Sequence, residues 1–210
     1  MTDAALSFVH RYEPAREPGV APLLLLHGTG GDENDLLSLG GMIAPGAALL
    51  SPRGKVLEGG MPRFFRRLRE GVFDEDDVRA RAAELAGFIA EARAAYGLAA
   101  PIAVGFSNGA NIAAALLLTQ PEVLAGAVLM RAMVPLAVPP AADLAGRPVL
   151  LLSGAMDPIV PEENAAHLAG QLRAAGAALD HRTLPAGHGL SQADLTLARD
   201  FLRAPARTAA

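Results

Sequence analysis

Short, largely apolar runs alternate along this chain with longer segments in which apolar residues recur every three or four positions. The runs at residues 20–26, 47–50, 102–106, 125–130 and 148–152 predict strands, and residues 179–184 are read as a further one. The longer segments at 74–96, 108–119, 161–175 and 190–202 predict helices. Residues 74–96 open on Asp74, Glu75, Asp76 and Asp77, which suit the positive end of a helix dipole. Val78, Leu85, Phe88 and Ile89 give that helix an apolar stripe. Pro121 stops the helix at 108–119. Strands apolar on both faces, alternating with helices, predict an α/β fold: a mostly parallel central sheet with helices on both faces. Residues 6–13 add an antiparallel edge strand.

Composition sharpens this picture. A chain of 210 residues, half of them hydrophobic, suits one globular domain spanning residues 1–210. Aromatic residues make up only 4%, so the core must be built mainly from Ala, Leu and Val. A formal charge of −4 argues against nucleic acid as a partner, because phosphate contacts need a basic face. The absence of cysteine removes disulfides, thiolate metal sites and a cysteine nucleophile, and agrees with a reducing compartment. The first residues lack the basic and apolar segments of a signal peptide, and no apolar window reaches the length of a membrane span. The expectation is a cytoplasmic protein with no membrane partner.

In a parallel sheet, ligands bind where loops leave the carboxyl ends of the strands. Three such loops carry reactive side chains. Gly105-Phe106-Ser107-Asn108-Gly109 lies between a strand and a helix and fits Gly-x-Ser-x-Gly. The turn exposes Ser107 at a helix N-terminus, where backbone N–H groups favour negative charge. A capping serine in a tight turn is the plainer reading of these residues. Asp157 follows the strand at 148–152 and precedes a helix opened by Pro161. Taken alone it is a turn aspartate or a cap. His188 lies between two glycines, after the strand at 179–184 and before the last helix.

Together the three stand in the chain order Ser, Asp, His of α/β-hydrolases. Fifty residues separate Ser107 from Asp157 and 31 separate Asp157 from His188, enough for each to occupy a successive strand-end loop. A fourth loop, His27-Gly28-Thr29-Gly30-Gly31, follows the first long strand. Its glycines lack the Gly-Lys-Ser/Thr ending of a phosphate-binding loop. Acyl transfer instead needs N–H donors aimed at a developing oxyanion, and the backbone amides of Asn108 and Thr29 are the candidates. His27 is read as structural, packed beneath this loop.

With these segments the chain resembles the phospholipase/carboxylesterase family of α/β-hydrolases. The matching motifs are Leu26-His27-Gly28-Thr29-Gly30-Gly31-Asp32, Ser51-Pro52-Arg53-Gly54, Gly105-Phe106-Ser107-Asn108-Gly109, Gly154-Ala155-Met156-Asp157-Pro158 and Gly187-His188. The resemblance implies Ser107 as nucleophile, Asp157 as orienting acid and His188 as base, the positions already reached from the loops. It implies no metal and no organic cofactor, and leaves a homodimer open. Two departures stand out. Arg131 occupies a position where some relatives carry histidine, and is expected to alter the polarity of a pocket rim. The chain also has no room for a large lid domain.

The expected activity is hydrolysis of short- to medium-chain carboxylic esters, or thioesters, with a small-molecule ester as substrate. Leu36, Met61, Phe64, Phe65 and Met133 are candidates for the pocket lining, with ordinary core an equal alternative for Phe64 and Phe65. The run Arg63, Arg66, Arg67, Arg69 is read as a solvated helix face. His10, His167 and His181 have no evident partners in the sequence. Cleavage of a lactone or C–C bond in an aromatic-derived compound is a rival activity for the same triad. A non-catalytic binding module on the same fold is a rival of another class.

Overall fold

The structure, a computed structural model, describes residues 6–204. The reading of the first five residues and the outer limits of the 1–210 domain lie outside that range. In chain order the elements are β1 (His10–Glu13), β2 (Leu23–Leu26), α1 (Leu37–Ile43), β3 (Leu49–Pro52), β4 (Val56–Glu58), β5 (Met61–Arg63), β6 (Arg67–Arg69), β7 (Val72–Phe73), α2 (Glu75–Tyr96), β8 (Ile102–Phe106), α3 (Asn108–Thr119), β9 (Gly126–Met130), β10 (Pro148–Gly154), α4 (Glu162–Ala174), β11 (Ala178–Leu184) and α5 (Gln192–Arg203).

Seven strands form one sheet in the order β1-β3-β2-β8-β9-β10-β11. All neighbours are parallel except β1, which runs antiparallel on β3 at the edge. This is the α/β-hydrolase architecture the sequence predicts. Successive strand residues point to opposite faces, and the core divides accordingly. Leu24, Leu26, Leu129, Val149 and Leu151 join α2, α3 and α4 on one face. Leu23, Leu25, Val128, Leu150 and Leu152 join α1 and α5 on the other. A strand covered on both faces has no polar alternation, which is why β2 reads Leu-Leu-Leu-Leu.

Helix α3 lies deepest, with every residue from Asn108 to Leu118 buried. Ala110, Ala113, Ala114 and Ala115 are small enough to let it approach the sheet closely, so a core poor in aromatics still fills. Helix α2 is capped by Asp74, whose side chain accepts from the Asp77 amide, and closes on Gly97 in the left-handed region.

Residues 63–69 differ from expectation. The arginine run is not a helix face but part of two hairpins, β4–β5 and β6–β7. Gly59, Gly60 and Gly71 take positive φ at the two turns. Arg63 is only 3% exposed, with its Nε 3.2 Å from Glu58. Arg66 pairs with Asp74, and Arg67 with Glu58 and Glu70. Helix α1 is a further element that the apolar pattern did not reveal.

Candidate active site

Four loops leave the carboxyl ends of β2, β8, β10 and β11 on one edge of the sheet. The loop between β8 and α3 is a hairpin-tight corner. Ser107 sits at φ 52° and ψ −117°, a conformation few non-glycine residues adopt. Its amide donates to Met130 O at 2.9 Å and its carbonyl accepts from the Asn111 amide at 2.9 Å, pinning the corner between β9 and the first turn of α3. The corner requires its glycines. A Cβ on Gly105 would lie 2.6 Å from Gly109 O, and one on Gly109 would collide with the Leu26 carbonyl at the end of β2.

The three sequence-predicted side chains come together. His188 Nε2 lies 3.0 Å from Ser107 Oγ, and His188 Nδ1 lies 2.8 Å from Asp157 Oδ2. A carboxylate can only accept, so the shared proton belongs to Nδ1 and Nε2 is free to accept from the serine hydroxyl. The Asp157 side chain is fully buried, and its Oδ1 accepts from the amides of Ile159 (2.8 Å) and Val160 (3.1 Å). The turn that places this aspartate therefore also fixes its orientation. The Phe106 ring, 5.4 Å from the imidazole, packs on one side of His188.

The Thr29 amide belongs to the loop that follows β2, and the Asn108 amide opens α3. Neither donates a hydrogen bond to any described residue, whereas the neighbouring amides of Gly30 and Gly31 do, to Pro62 O and Gly28 O. The Asn108 amide also lies at the positive end of α3. Thr29 Oγ1 accepts from Arg63 Nη1 at 2.9 Å, and Asn108 Oδ1 accepts from the Phe64 amide at 2.7 Å. Residues 62–64 thus brace both loops. Sequence reasoning missed this bracing because its helix reading gave the arginines a solvent role.

His27 is buried beneath the glycine-rich loop, as expected. Its Nε2 accepts from the Gly54 amide (2.9 Å), so Nδ1 carries the proton given to Gly28 O (2.7 Å). Burial holds its pKa below the ordinary histidine value. His10 bonds Phe8 O, two residues away, and Tyr96 Oη, 86 residues away, and His181 bonds Ser153 Oγ across adjacent strands.

The five lining candidates separate. Met61 is 45% exposed, and its Sδ would lie 3.6 Å from a Cβ at position 30, which places it over the glycine-rich loop. Phe64 is buried against His27, with ring centroids 4.7 Å apart, and Phe65 is buried edge-on to Phe73. Leu36 belongs to the core face shared with α1 and α5. Met133 is buried with Val160, and its amide donates to Asn111 Oδ1. A hollow of about 280 Å³ between β7, α4 and residues 134–137 has none of Ser107, Asp157 or His188 in its lining. Among the described residues no cluster of three His, Asp or Glu is placed to hold a metal ion.

Arg131 corrects an expectation. It is not at a pocket rim but fully buried, in an ion pair with Asp194. A guanidinium this far inside is tolerated because a carboxylate and several carbonyls surround it.

The fold and this strand-end constellation define a hydrolase of the α/β class. The profile of the family described as Phospholipase/Carboxylesterase matches residues 10–205, and the chain belongs to that family. It is similar to MhqD of Bacillus subtilis (strain 168), 48% identical over 196 residues, covering 92% of this chain and 97% of that protein. Among solved structures it is similar to the Bacillus cereus carboxylesterase, with a TM-score of 0.91, 41% identity and 93% of each chain covered. The carboxylesterase of Mesorhizobium loti gives a TM-score of 0.90, 35% identity and 98% coverage of each chain.

Proposed function

We propose that this enzyme hydrolyses short- to medium-chain carboxylic esters, and thioesters of similar size, through a Ser107–His188–Asp157 triad and an acyl-enzyme. The observation that carries the reading is the unbroken contact from Ser107 Oγ through the imidazole to a buried carboxylate, on a serine held at positive φ. His188 Nε2 takes the hydroxyl proton as Oγ attacks the carbonyl carbon. Asp157 keeps the imidazole in the required tautomer and stabilises its cation. The carbonyl oxygen becomes negative in the tetrahedral intermediate, where the Thr29 and Asn108 amides, which have no protein acceptor among the described residues, receive it. His188 then gives its proton to the leaving oxygen or sulfur. Water, deprotonated by the same imidazole, releases the acid and restores the serine.

A small substrate is supported by the short hairpins at residues 56–73, the only insertion between β3 and α2, where a lid domain would need far more chain. The reading also takes the chain as one domain, supported by a sheet continuous from His10 to Leu184, and as a cytoplasmic enzyme, in keeping with a sequence free of cysteine.

The test is hydrolysis of p-nitrophenyl esters from acetate to octanoate by the wild type and Ser107→Ala. The expected result is turnover of the shorter esters and a loss of about a thousandfold or more in kcat for the folded variant. Equal rates for the two proteins, or no turnover of any ester, would overturn the reading.

A further inference from the structure

Arg131 follows β9 directly, at φ 57°, and its amide donates to Leu152 O at 2.9 Å. A guanidinium carries five N–H donors, and here five contacts meet them. Nε donates to Gly187 O at 2.9 Å. Nη1 donates to Leu152 O at 3.2 Å and Asp194 Oδ1 at 2.8 Å. Nη2 donates to Gly189 O at 3.2 Å and Asp194 Oδ2 at 2.8 Å. Two of these carbonyls belong to the residues immediately before and after His188.

Before His188 the loop is also held by the Met156 amide on Ala186 O (3.0 Å) and by Gly154, where a Cβ would lie 2.6 Å from Gly187 O; after it the restraints thin out. A Cβ at position 189 would meet nothing within 4 Å, and one at 187 would meet only Met156 O, at 3.7 Å. Packing therefore does not fix Gly189, and glycine has more backbone freedom to lose than any other residue. Asp194 completes the bracing. Its Oδ2 also accepts from Ser191 N (2.8 Å) and Ser191 Oγ (2.7 Å), closing a capping box at the start of α5. One ion pair thus ties the ends of β9 and β10, the histidine loop and the last helix. Burial works to raise the Asp194 pKa, but bonds from Arg131 and Ser191 outweigh it and hold the carboxyl below the usual range.

The geometry points to Arg131 as a positioning residue for the base: neutralised by Asp194, it holds the Gly187–Gly189 backbone so that His188 stays within reach of both Ser107 and Asp157. It does not touch the substrate. The inference rests on the proposed role of His188. Lysine cannot replace it, since an ammonium has three donors and no planar fork to span the two carbonyls and the carboxylate.

The test compares the wild type, Arg131→Lys and the double variant Arg131→Met/Asp194→Leu. The double variant removes both charges, so that neither is left buried and alone. Each is measured for p-nitrophenyl acetate kinetics, for thermal melting and for the low-field proton resonance of the His188 Nδ1–H···Asp157 bond. The expected result is a cooperatively melting protein whose kcat falls about 10- to 100-fold with KM within about threefold, and whose low-field resonance is lost to exchange. If the lysine variant does not fold, the double variant decides. A folded variant that keeps kcat within about twofold, or keeps the resonance while kcat falls, overturns the positioning role. Ser107→Ala and His188→Gln are run alongside. Full activity in those two would sink the triad itself, whereas their inactivity beside fully active Arg131 variants would sink only this inference.

Discussion

Ser107 and His188 meet at a 3.0 Å contact, yet the backbone beneath each is fixed by different means. The serine corner is held by close packing. Gly105 and Gly109 let strand and helix touch, and α3 is buried along almost its whole length. The histidine loop is held by polar bonds. Open space surrounds Gly189, and a buried guanidinium grips the carbonyls of both its glycines. A position fixed by packing should tolerate no added volume. A position fixed by hydrogen bonds should accept volume readily but not the loss of a donor.

The sharpest trial of that contrast is a single added methyl group. Gly109→Ala would drive a Cβ into the Leu26 carbonyl, a backbone atom that cannot swing aside. The expected cost exceeds about 4 kcal/mol, enough to leave little folded protein, and is read as loss of soluble yield and of the cooperative melt. A stable Gly109→Ala protein would break the comparison.

Acid should separate the two regions next. His27, whose carbonyl abuts Gly109, has a pKa lowered by burial. The unfolded chain then binds the proton more readily. The stability His27 contributes is complete above about pH 6.5 and is lost as pH falls through the lowered folded-state value. His181, lowered by burial and by Arg173, acts with the same sign in the same window. Asp194, also lowered, contributes fully above about pH 3.9 and loses its share only below that. The His27 and His181 contributions, one on each side, should therefore be lost first and that of the arginine clamp last. Urea unfolding from about pH 8 to about pH 3 should show stability falling below pH 6.5 by at most about 1.4 kcal/mol per pH unit for each proton, with a shallower slope in His27→Gln.

The smallest effect is expected at the loop. Gly189→Ala places a methyl group in open space at a residue whose φ is not positive. Stability should rise by about 0.4–1 kcal/mol through the unfolded state, with kcat nearly unchanged, as melting and ester kinetics will report.

Much of what was legible in the sequence is fixed by packing, whereas Asp157 and His188 were reached from chain order and their place after successive strands. β2, β8, β9 and β10 announce themselves as unbroken apolar runs because both faces of the sheet are covered, and α3 was bounded to the residue. The Gly-x-Ser-x-Gly spacing revealed the corner because two glycines there answer to specific backbone atoms. The arginine run at 63–69 was misread because Arg and Phe interleave over too few residues to distinguish a period of 2 from one of 3.6, and turn glycines gave the better signal. Arg131 was misplaced for another reason. Its partner lies 63 positions away, and nothing local marks a charged residue as destined for the interior.

The ion pair that ties Arg131 to Asp194 also bears on how this sequence can change over generations. Loss of either member alone leaves a buried, uncompensated charge, at a cost of about 3–5 kcal/mol. That is a large share of the roughly 5–15 kcal/mol that keeps a typical domain folded. Single-step paths away from arginine at 131 therefore cross a valley, and lineages that carry another residue there should also have altered position 194. The two sites, distant in the chain, should be inherited as one character.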